Sequence, residues 1–268
     1  MSGSGENRTR VSADDVCVTT TDASLSPIVE LRQYTLHSGM RDTLIELFDR
    51  ALIESQEAAG MRVIGQFRDV DDPDRFVWLR GFPDMTTRAT ALESFYGGPV
   101  WKANRDVANA TMIDSDNVLL LRRARHGSGF SPDLGTRRPR DAGAAGPGFV
   151  IATIYPMDAS ALSEVVDYFD RTIAPALTES GAAILGVFVT EPSANTFPAL
   201  PIRENENVFV WLAGVGDATR VDVEATDGGA PGVTAAPQRL RLTPTARSLL
   251  TGRSRSCPAM PTSQSRHA

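Results

Sequence analysis

The chain is poor in the residues that usually hold metals and cofactors. It contains three histidines and two cysteines in 268 residues, whereas metal and haem centres are built from clusters of such ligands. It also lacks a Gly-rich strand-to-helix turn of the dinucleotide-binding type and a Gly-x-Ser-x-Gly nucleophile turn. The sequence therefore predicts no metal and no cofactor.

Long apolar runs and an excess of positive charge are also missing. No run reaches the roughly 18 apolar residues that suggest a membrane-spanning helix, and residues 1–26 contain no apolar stretch of the signal-peptide kind. The net charge of −6 argues against nucleic acid, which is bound by a basic surface. We expect a cytoplasmic protein without membrane or nucleic-acid partners.

What the sequence does contain is an internal repeat. Phe-Asp-Arg-Ala at 48–51 recurs as Phe-Asp-Arg-Thr at 169–172, and Phe-Val-Trp-Leu at 76–79 recurs at 209–212. The offset rises from 121 to 133 between these two matches, which places about 12 extra residues in the second copy. Units of this length are small domains rather than solenoid repeats.

Each copy shows the periodicity of a strand–helix–strand–strand–helix–strand unit. In the first copy the predicted elements are a strand at 28–36, a helix at 41–59, a hairpin of strands at 61–69 and 75–82, helical segments at 86–95 and 100–110, and a strand at 117–122. This order is the ferredoxin-like plan, with the helices on one face of an antiparallel sheet. In the second copy the last helix is reduced to about 217–225.

We predict an α+β fold of two tandem ferredoxin-like domains, packed sheet to sheet as a pseudo-dimeric α/β barrel. The predicted divisions are a disordered N-terminal tail at 1–26, a first domain at 27–123, a linker at 124–147, a second, diverged domain at 148–251 and a disordered C-terminal tail at 252–268. The arginines of the linker are interpreted as part of a solvated connector.

Alternation along the first and third strands predicts two sets of side chains. The set expected to face the helices is Val29, Leu31, Val77 and Leu79. The set expected to face the second domain is Glu30, Arg32, Tyr34, Phe76, Trp78 and Arg80. Buried charges must pair or meet a polar ligand, so the charged members form either an internal salt bridge or a binding site. At the matching positions of the second copy, Ile151, Thr153 and Ala213 replace Glu30, Arg32 and Arg80.

The first copy resembles the NIPSNAP family over about residues 28–122. The resemblance rests on Glu-Leu-Arg-Gln-Tyr-Thr-Leu at 30–36, Phe-Val-Trp-Leu-Arg-Gly-Phe at 76–82 and Phe-Tyr-Gly-Gly-Pro-Val-Trp-Lys at 95–102. It implies the dimeric α/β-barrel superfamily, which also contains cofactor-independent monooxygenases of antibiotic pathways, EthD-like proteins and haem enzymes. Most NIPSNAP proteins lack an assigned reaction, and a fold alone does not define one.

The predicted function is binding of a small aromatic or polyketide-like metabolite in a barrel cavity, with a homodimer as a possible assembly. As an enzyme, the protein would be a cofactor-independent monooxygenase, cyclase or isomerase. His37 or Glu30 would then take a proton, and Arg32 and Arg80 would stabilise an enolate. The residues expected to hold the ring are Tyr34, Phe67, Trp78 and Trp101.

The alternative is a non-catalytic binding or interaction protein with a filled barrel. A void of roughly 300 Å³ or more beside Arg32, Arg80 and Trp78 would favour a ligand site. The extra segment of the second copy, at 193–203, is a candidate lid over the barrel mouth.

Overall fold

The computed structural model describes residues 26–131, 134–143, 148–216 and 229–252. Apart from Ser26 and Gly252, the predicted tails lie outside these ranges, as does the helix predicted at 217–225. No helix within the described ranges is long and apolar enough to cross a membrane.

The first domain has the predicted order of elements, with one short strand after the last helix that the sequence did not predict. They are β1 (Ile28–Leu36), α1 (Arg41–Leu47), a π-helical segment (Phe48–Leu52), α2 (Ile53–Ala58), β2 (Arg62–Asp69), β3 (Arg75–Phe82), α3 (Met85–Gly97), α4 (Pro99–Thr111), β4 (Met112–Asp114) and β5 (Val118–Arg123). The Asp84 side chain accepts a hydrogen bond from the Thr87 N–H and so caps α3. Gly98 separates α3 from α4, and a Cβ there would lie 2.9 Å from the Ser94 carbonyl oxygen.

The second domain repeats this plan. Its described elements are β6 (Phe149–Pro156), a 3₁₀ turn (Ala159–Ala161), α5 (Leu162–Tyr168), a π-helical segment (Phe169–Ile173), α6 (Ala174–Glu179), β7 (Ala183–Thr190), β8 (Val208–Val215) and β9 (Gln238–Pro244). The repeated Phe-Asp-Arg motif thus begins a π-helical segment in both copies. The sequence predicted continuous helices there, over 41–59 in the first copy and 159–180 in the second. The first residue of each segment packs against a ring of the sheet. The ring centres of Phe48 and Phe76 lie 5.1 Å apart, and those of Phe169 and Phe209 lie 5.6 Å apart.

Eight strands close into one antiparallel barrel, which confirms the predicted fold. Their order around the barrel is β1, β3, β2, β9, β6, β8, β7 and β5, and β5 returns to β1. The two domains meet at two seams, β2 with β9 and β5 with β7, each of which pairs three residues of either strand. The barrel is complete within one chain, and the homodimer stays a prediction.

The barrel interior corrects the predicted assignment of faces. Val29, Leu31, Val77 and Leu79 do not face the helices but pack inside the barrel, in one cluster with aliphatic residues of the second domain. The opposite set lies under the helices of the first domain, where Trp78 and Phe76 pack in the cluster that contains Phe48 and Phe95. An eight-stranded barrel has an interior just wide enough for its side chains. Aliphatic residues fill most of it, together with the rings of Phe67 and Phe188, while both Trp78 and Trp211 lie in the layers between sheet and helices.

Part of the linker is fixed to the first domain, which corrects the prediction of a solvated connector. The side chain of Arg137 is only 10% exposed and forms an ion pair with Glu57. It also donates to the carbonyl oxygens of Val63 and Arg247, each at 2.6 Å. These contacts attach the linker to both α2 and the C-terminal segment of the described chain.

Gly65 gives a test of how tightly the barrel is filled. A Cβ at Gly65 would lie 2.5 Å from the Phe67 ring, and that ring is fully buried in the barrel. We expect Gly65→Ala to lower the free energy of unfolding by about 1–3 kcal/mol, as overpacking of a core does. Gly97→Ala is the control, since nothing lies within 4 Å of its added Cβ. Equal urea midpoints for the two variants would contradict a tightly filled interior.

Candidate functional site

A small pocket lies between the first-domain sheet and its helices, outside the barrel. The volume of this cavity is about 20 Å³, which is room for little more than one water molecule. The aromatic part of its wall comprises Tyr34, Phe48, Trp78, Phe95, Tyr96 and Trp101. Among the described residues, the void of roughly 300 Å³ beside Arg32, Arg80 and Trp78 that would have favoured a ligand site is therefore not open.

A buried cluster of charges borders this pocket. Strand pairing places Glu30 on β1 opposite Arg80 on β3, and Glu30 Oε2 accepts hydrogen bonds from Arg80 Nε and Arg32 Nη1, both at 2.7 Å. The second oxygen, Oε1, accepts from Arg88 Nε of α3 at 2.7 Å. All four side chains are fully buried. We call these four residues the arginine cluster.

The arginine cluster has more positive than negative charge. Three guanidinium groups share one carboxylate, which leaves two positive charges without an opposing charge in the cluster. Within the described ranges, Arg32 Nη2, Arg88 Nη2 and Trp78 Nε1 are buried donors without a hydrogen-bond partner. Burial would raise the pKa of Glu30, but the attraction of Arg80, Arg32 and Arg88 outweighs it and holds that pKa far below its ordinary value.

Aromatic rings separate the arginine cluster from the pocket. The Arg80 guanidinium carbon lies 5.1 Å from the Trp78 ring centre, and that of Arg32 lies 5.4 Å from the ring of Tyr34. Arg80 Nη1 also donates to Gln56 Oε1 at 3.3 Å and to the Tyr96 hydroxyl at 3.4 Å. Both of these acceptors belong to pocket-lining residues, so the positive charge stands directly behind the pocket wall.

Tyr34 connects the arginine cluster to the pocket through its hydroxyl group. That oxygen accepts a hydrogen bond from Arg32 Nε at 3.0 Å. Burial raises the pKa of Tyr34, although the charge of Arg32 opposes the shift. The phenol therefore keeps its proton near neutral pH and can donate it in a hydrogen bond.

The structure brings together six of the eight residues proposed from the sequence. Those at the pocket or in the arginine cluster are Glu30, Arg32, Tyr34, Trp78, Arg80 and Trp101. Phe67 lies apart from them, in the filled barrel interior. His37 is exposed in the turn after β1. Glu30 is held as an anion by three arginines, which does not suit the role of proton acceptor.

Arg88 is the functional candidate that the sequence analysis missed. It stands four residues before Leu92 and seven before Phe95, so helical spacing puts it on the buried face of α3. The sequence signal that could have revealed Arg88 is an arginine within the apolar stripe of a predicted helix.

The second domain has no matching charged cluster among its described residues. Its corresponding layer contains Ile151, Tyr155, Phe209, Trp211 and Ala213, packed in one apolar cluster. The Trp211 indole N–H donates to the Tyr155 hydroxyl at 3.4 Å. The asymmetry seen in the sequence is therefore also present in the folded chain.

Comparison with known proteins identifies the first domain. The NIPSNAP family model matches residues 29–125. The first domain is a NIPSNAP domain. A NIPSNAP family protein of Agrobacterium tumefaciens is 21% identical, with a TM-score of 0.34, and aligns 36% of this chain with 91% of its own. No protein of curated function matches the sequence.

Two solved structures align with both the NIPSNAP domain and the second domain. A candidate monooxygenase of Fusobacterium nucleatum aligns 82% of this chain with 93% of its own, at 8% identity and a TM-score of 0.50. An anthrone oxidase-like protein aligns 87% of this chain with 97% of its own, at 12% identity and a TM-score of 0.46. At 8% identity, the likeness to the Fusobacterium protein concerns the fold only.

Proposed function

We propose that the NIPSNAP domain binds a small, negatively charged aromatic metabolite in the pocket between its sheet and helices. The observation that carries this proposal is the surplus of buried positive charge in the arginine cluster. Buried charges are stable when they are paired, and a bound anion would supply the missing partner. Among the described residues, Arg32 Nη2 and Trp78 Nε1 are buried donors without a partner, and Trp78 also lines the pocket.

The shape of the pocket wall supports an aromatic ligand. Rings of Tyr34, Trp78, Tyr96 and Trp101 line it, and such rings bind a flat ligand by stacked and edge-to-face contacts. With an effective dielectric constant of 20, one positive charge roughly 8 Å away stabilises an anion by about 2 kcal/mol. Preference for an anion over its neutral analogue should therefore be at least about tenfold.

The same positive charge supports a second candidate function, cofactor-independent oxygenase, cyclase or isomerase chemistry on that metabolite. These reactions pass through an enolate or phenolate, and fixed positive charge lowers the energy of such an anion. It also lowers the pKa of the acidic group of the ligand. The substrate would then lose its proton readily, without Glu30 as the base.

Matched probes test the charge preference. We expect the protein to bind 2-naphthoate at least about tenfold more tightly than neutral 2-naphthamide in titration calorimetry, because only the first adds a negative charge near the arginine cluster. Arg80→Gln should lower that preference, because it leaves one surplus positive charge in the arginine cluster instead of two, while the affinity for 2-naphthamide stays unchanged.

Arg105→Gln is the control, since Arg105 is exposed on α4 and pairs with its neighbour Asp106. Circular dichroism would establish that both variants are folded. Equal affinity of the wild-type protein for the two probes would refute an anion site. Native mass spectrometry of protein purified from its own cells should then reveal the natural ligand as an aromatic acid, enol or phenol.

A further inference from the structure

The extra segment of the second domain reaches across to the NIPSNAP domain. It is the loop at 191–206, between β7 and β8, and we call it the crossing loop. Backbone hydrogen bonds attach it to β5: the Glu191 N–H donates to the Leu120 carbonyl at 2.9 Å, and the Arg203 N–H donates to the Val118 carbonyl at 2.8 Å. The loop is thus fixed near both ends, and its middle lies over the helices of the other domain.

The middle of the crossing loop contacts the wall of the pocket and the arginine cluster. The Phe197 ring is stacked on the Tyr96 ring, with centres 5.7 Å apart and planes inclined by 20°. Asn195 Oδ1 and Thr196 Oγ1 accept hydrogen bonds from Arg88 Nη1, at 3.1 and 3.0 Å. The second domain therefore supplies contacts to a site whose charges all belong to the first.

The pocket must enlarge before it can take an aromatic ring. Its volume of about 20 Å³ is far below the roughly 300 Å³ or more of ordinary ligand sites. Tyr34, Phe48, Trp78 and Phe95 are buried within the sheet–helix layer and have little space to move. Tyr96 and Trp101 are only half-buried, so among the aromatic wall residues they are the ones best able to turn outward.

Phe197 limits that movement at Tyr96. The Tyr96 ring is packed by Trp101 at 5.0 Å on one side and stacked by Phe197 on another, while its hydroxyl group meets Arg80. Of these contacts, only that of Phe197 comes from outside the NIPSNAP domain. An outward turn of Tyr96 would require Phe197 to give way.

We infer that Phe197 determines the size of ligand that the NIPSNAP domain accepts, by holding Tyr96 against the pocket. This inference rests on the proposed function for the existence of a ligand in this pocket. It gives the second domain a role beyond closing the barrel. A one-ring acid needs a smaller displacement of Tyr96 than a two-ring acid, so Phe197 should discriminate chiefly against the larger ligand.

The size preference is tested with benzoate and 2-naphthoate in titration calorimetry. Phe197→Ala should raise the affinity for 2-naphthoate at least about fivefold and change that for benzoate less than twofold, since only the larger ring needs the space. Ile202→Ala is the matched control: Ile202 lies on the same loop and packs against the same cluster, but the stacking on Tyr96 is made by Phe197.

An unchanged ratio of the two affinities in folded Phe197→Ala would overturn the inference. If that variant does not fold, Phe197→Leu is measured with the same criterion. The neutral pair benzamide and 2-naphthamide separates this inference from the proposed function. Phe197→Ala could change the ratio of two-ring to one-ring affinity for both the acids and the amides, while the wild-type protein shows no preference for the acids. That outcome would refute the anion site and retain the role of Phe197. Failure of the wild-type protein and Phe197→Ala to bind any of the four probes would overturn both.

Discussion

Replacing Glu30 with glutamine should lower the free energy of unfolding by about 3–5 kcal/mol. The carboxylate is the shared partner of Arg32, Arg80 and Arg88, each within 2.7 Å. Without its charge, three guanidinium groups would lie buried beside one another, and breaking a buried ion pair from one side costs about this much. Urea denaturation of the two proteins at pH 7 measures the difference.

Asp71→Asn is the control for this prediction. Asp71 pairs with Arg241, but both side chains are about half exposed, and such surface pairs contribute about 0–1 kcal/mol. A Glu30→Gln variant no less stable than Asp71→Asn would show that Glu30 does not hold the arginine cluster together.

The effect of Glu30 should also depend on pH in a defined direction. Burial opposes ionisation, but Arg80, Arg32 and Arg88 lower the pKa of Glu30 below its ordinary value of 4.5. The unfolded chain therefore takes up this proton at a higher pH than the folded chain. Stability due to the Glu30 charge is fully present above pH 4.5 and declines as the pH falls further, so the difference between wild-type protein and Glu30→Gln should narrow on acidification.

Replacing the whole arginine cluster should change the stability of the protein little but abolish its preference for an anionic ligand. A variant with methionine at Glu30, Arg32, Arg80 and Arg88 removes the positive and negative charges together and keeps similar side-chain volumes. Exchange of a complete buried ion network for apolar residues is often neutral or stabilising. We expect the free energy of unfolding of this variant to lie within about 2 kcal/mol of the wild-type value. The roughly tenfold preference for 2-naphthoate over 2-naphthamide should disappear.

The second domain shows that this layer can be apolar in the same fold. Its residues Ile151 and Ala213 stand where the first domain has Glu30 and Arg80, and both are buried in a well-packed cluster. A folded methionine variant that still preferred the anion would place the source of selectivity outside the arginine cluster. Calorimetry with the two naphthalene probes and urea denaturation distinguish the outcomes.

The barrel could be predicted from the sequence because the repeat defines it. Two copies of one strand and helix order, each with an apolar sheet face, must bury those faces against each other. The change of offset between the copies also located the crossing loop correctly. What it could not locate was the surface that the loop covers, since Phe197 meets Tyr96 only in the folded chain.

The assignment of faces failed for a physical reason. Both faces of β1 and β3 are buried, so alternation separates two sets of residues without telling which set faces the barrel. The aromatic set was placed inside it, whereas Trp78 packs under the helices and Val77 points into the barrel. The charged residues were nevertheless predicted to lie together correctly, because side chains two residues apart on a strand share a face, whichever face that is.

The joining of two domains in one chain also removes a constraint on their sequences. In a homodimeric barrel, each substitution appears in both subunits, so a loop that helps one site must be tolerated at the other. In the part of the chain that the structure describes, the crossing loop belongs to one copy and the arginine cluster to the other. The short three-residue seams can suffice because tethered halves meet at an effective concentration in the millimolar range. The first domain can therefore keep the buried charges, while the second domain keeps the loop that limits the size of the ligand.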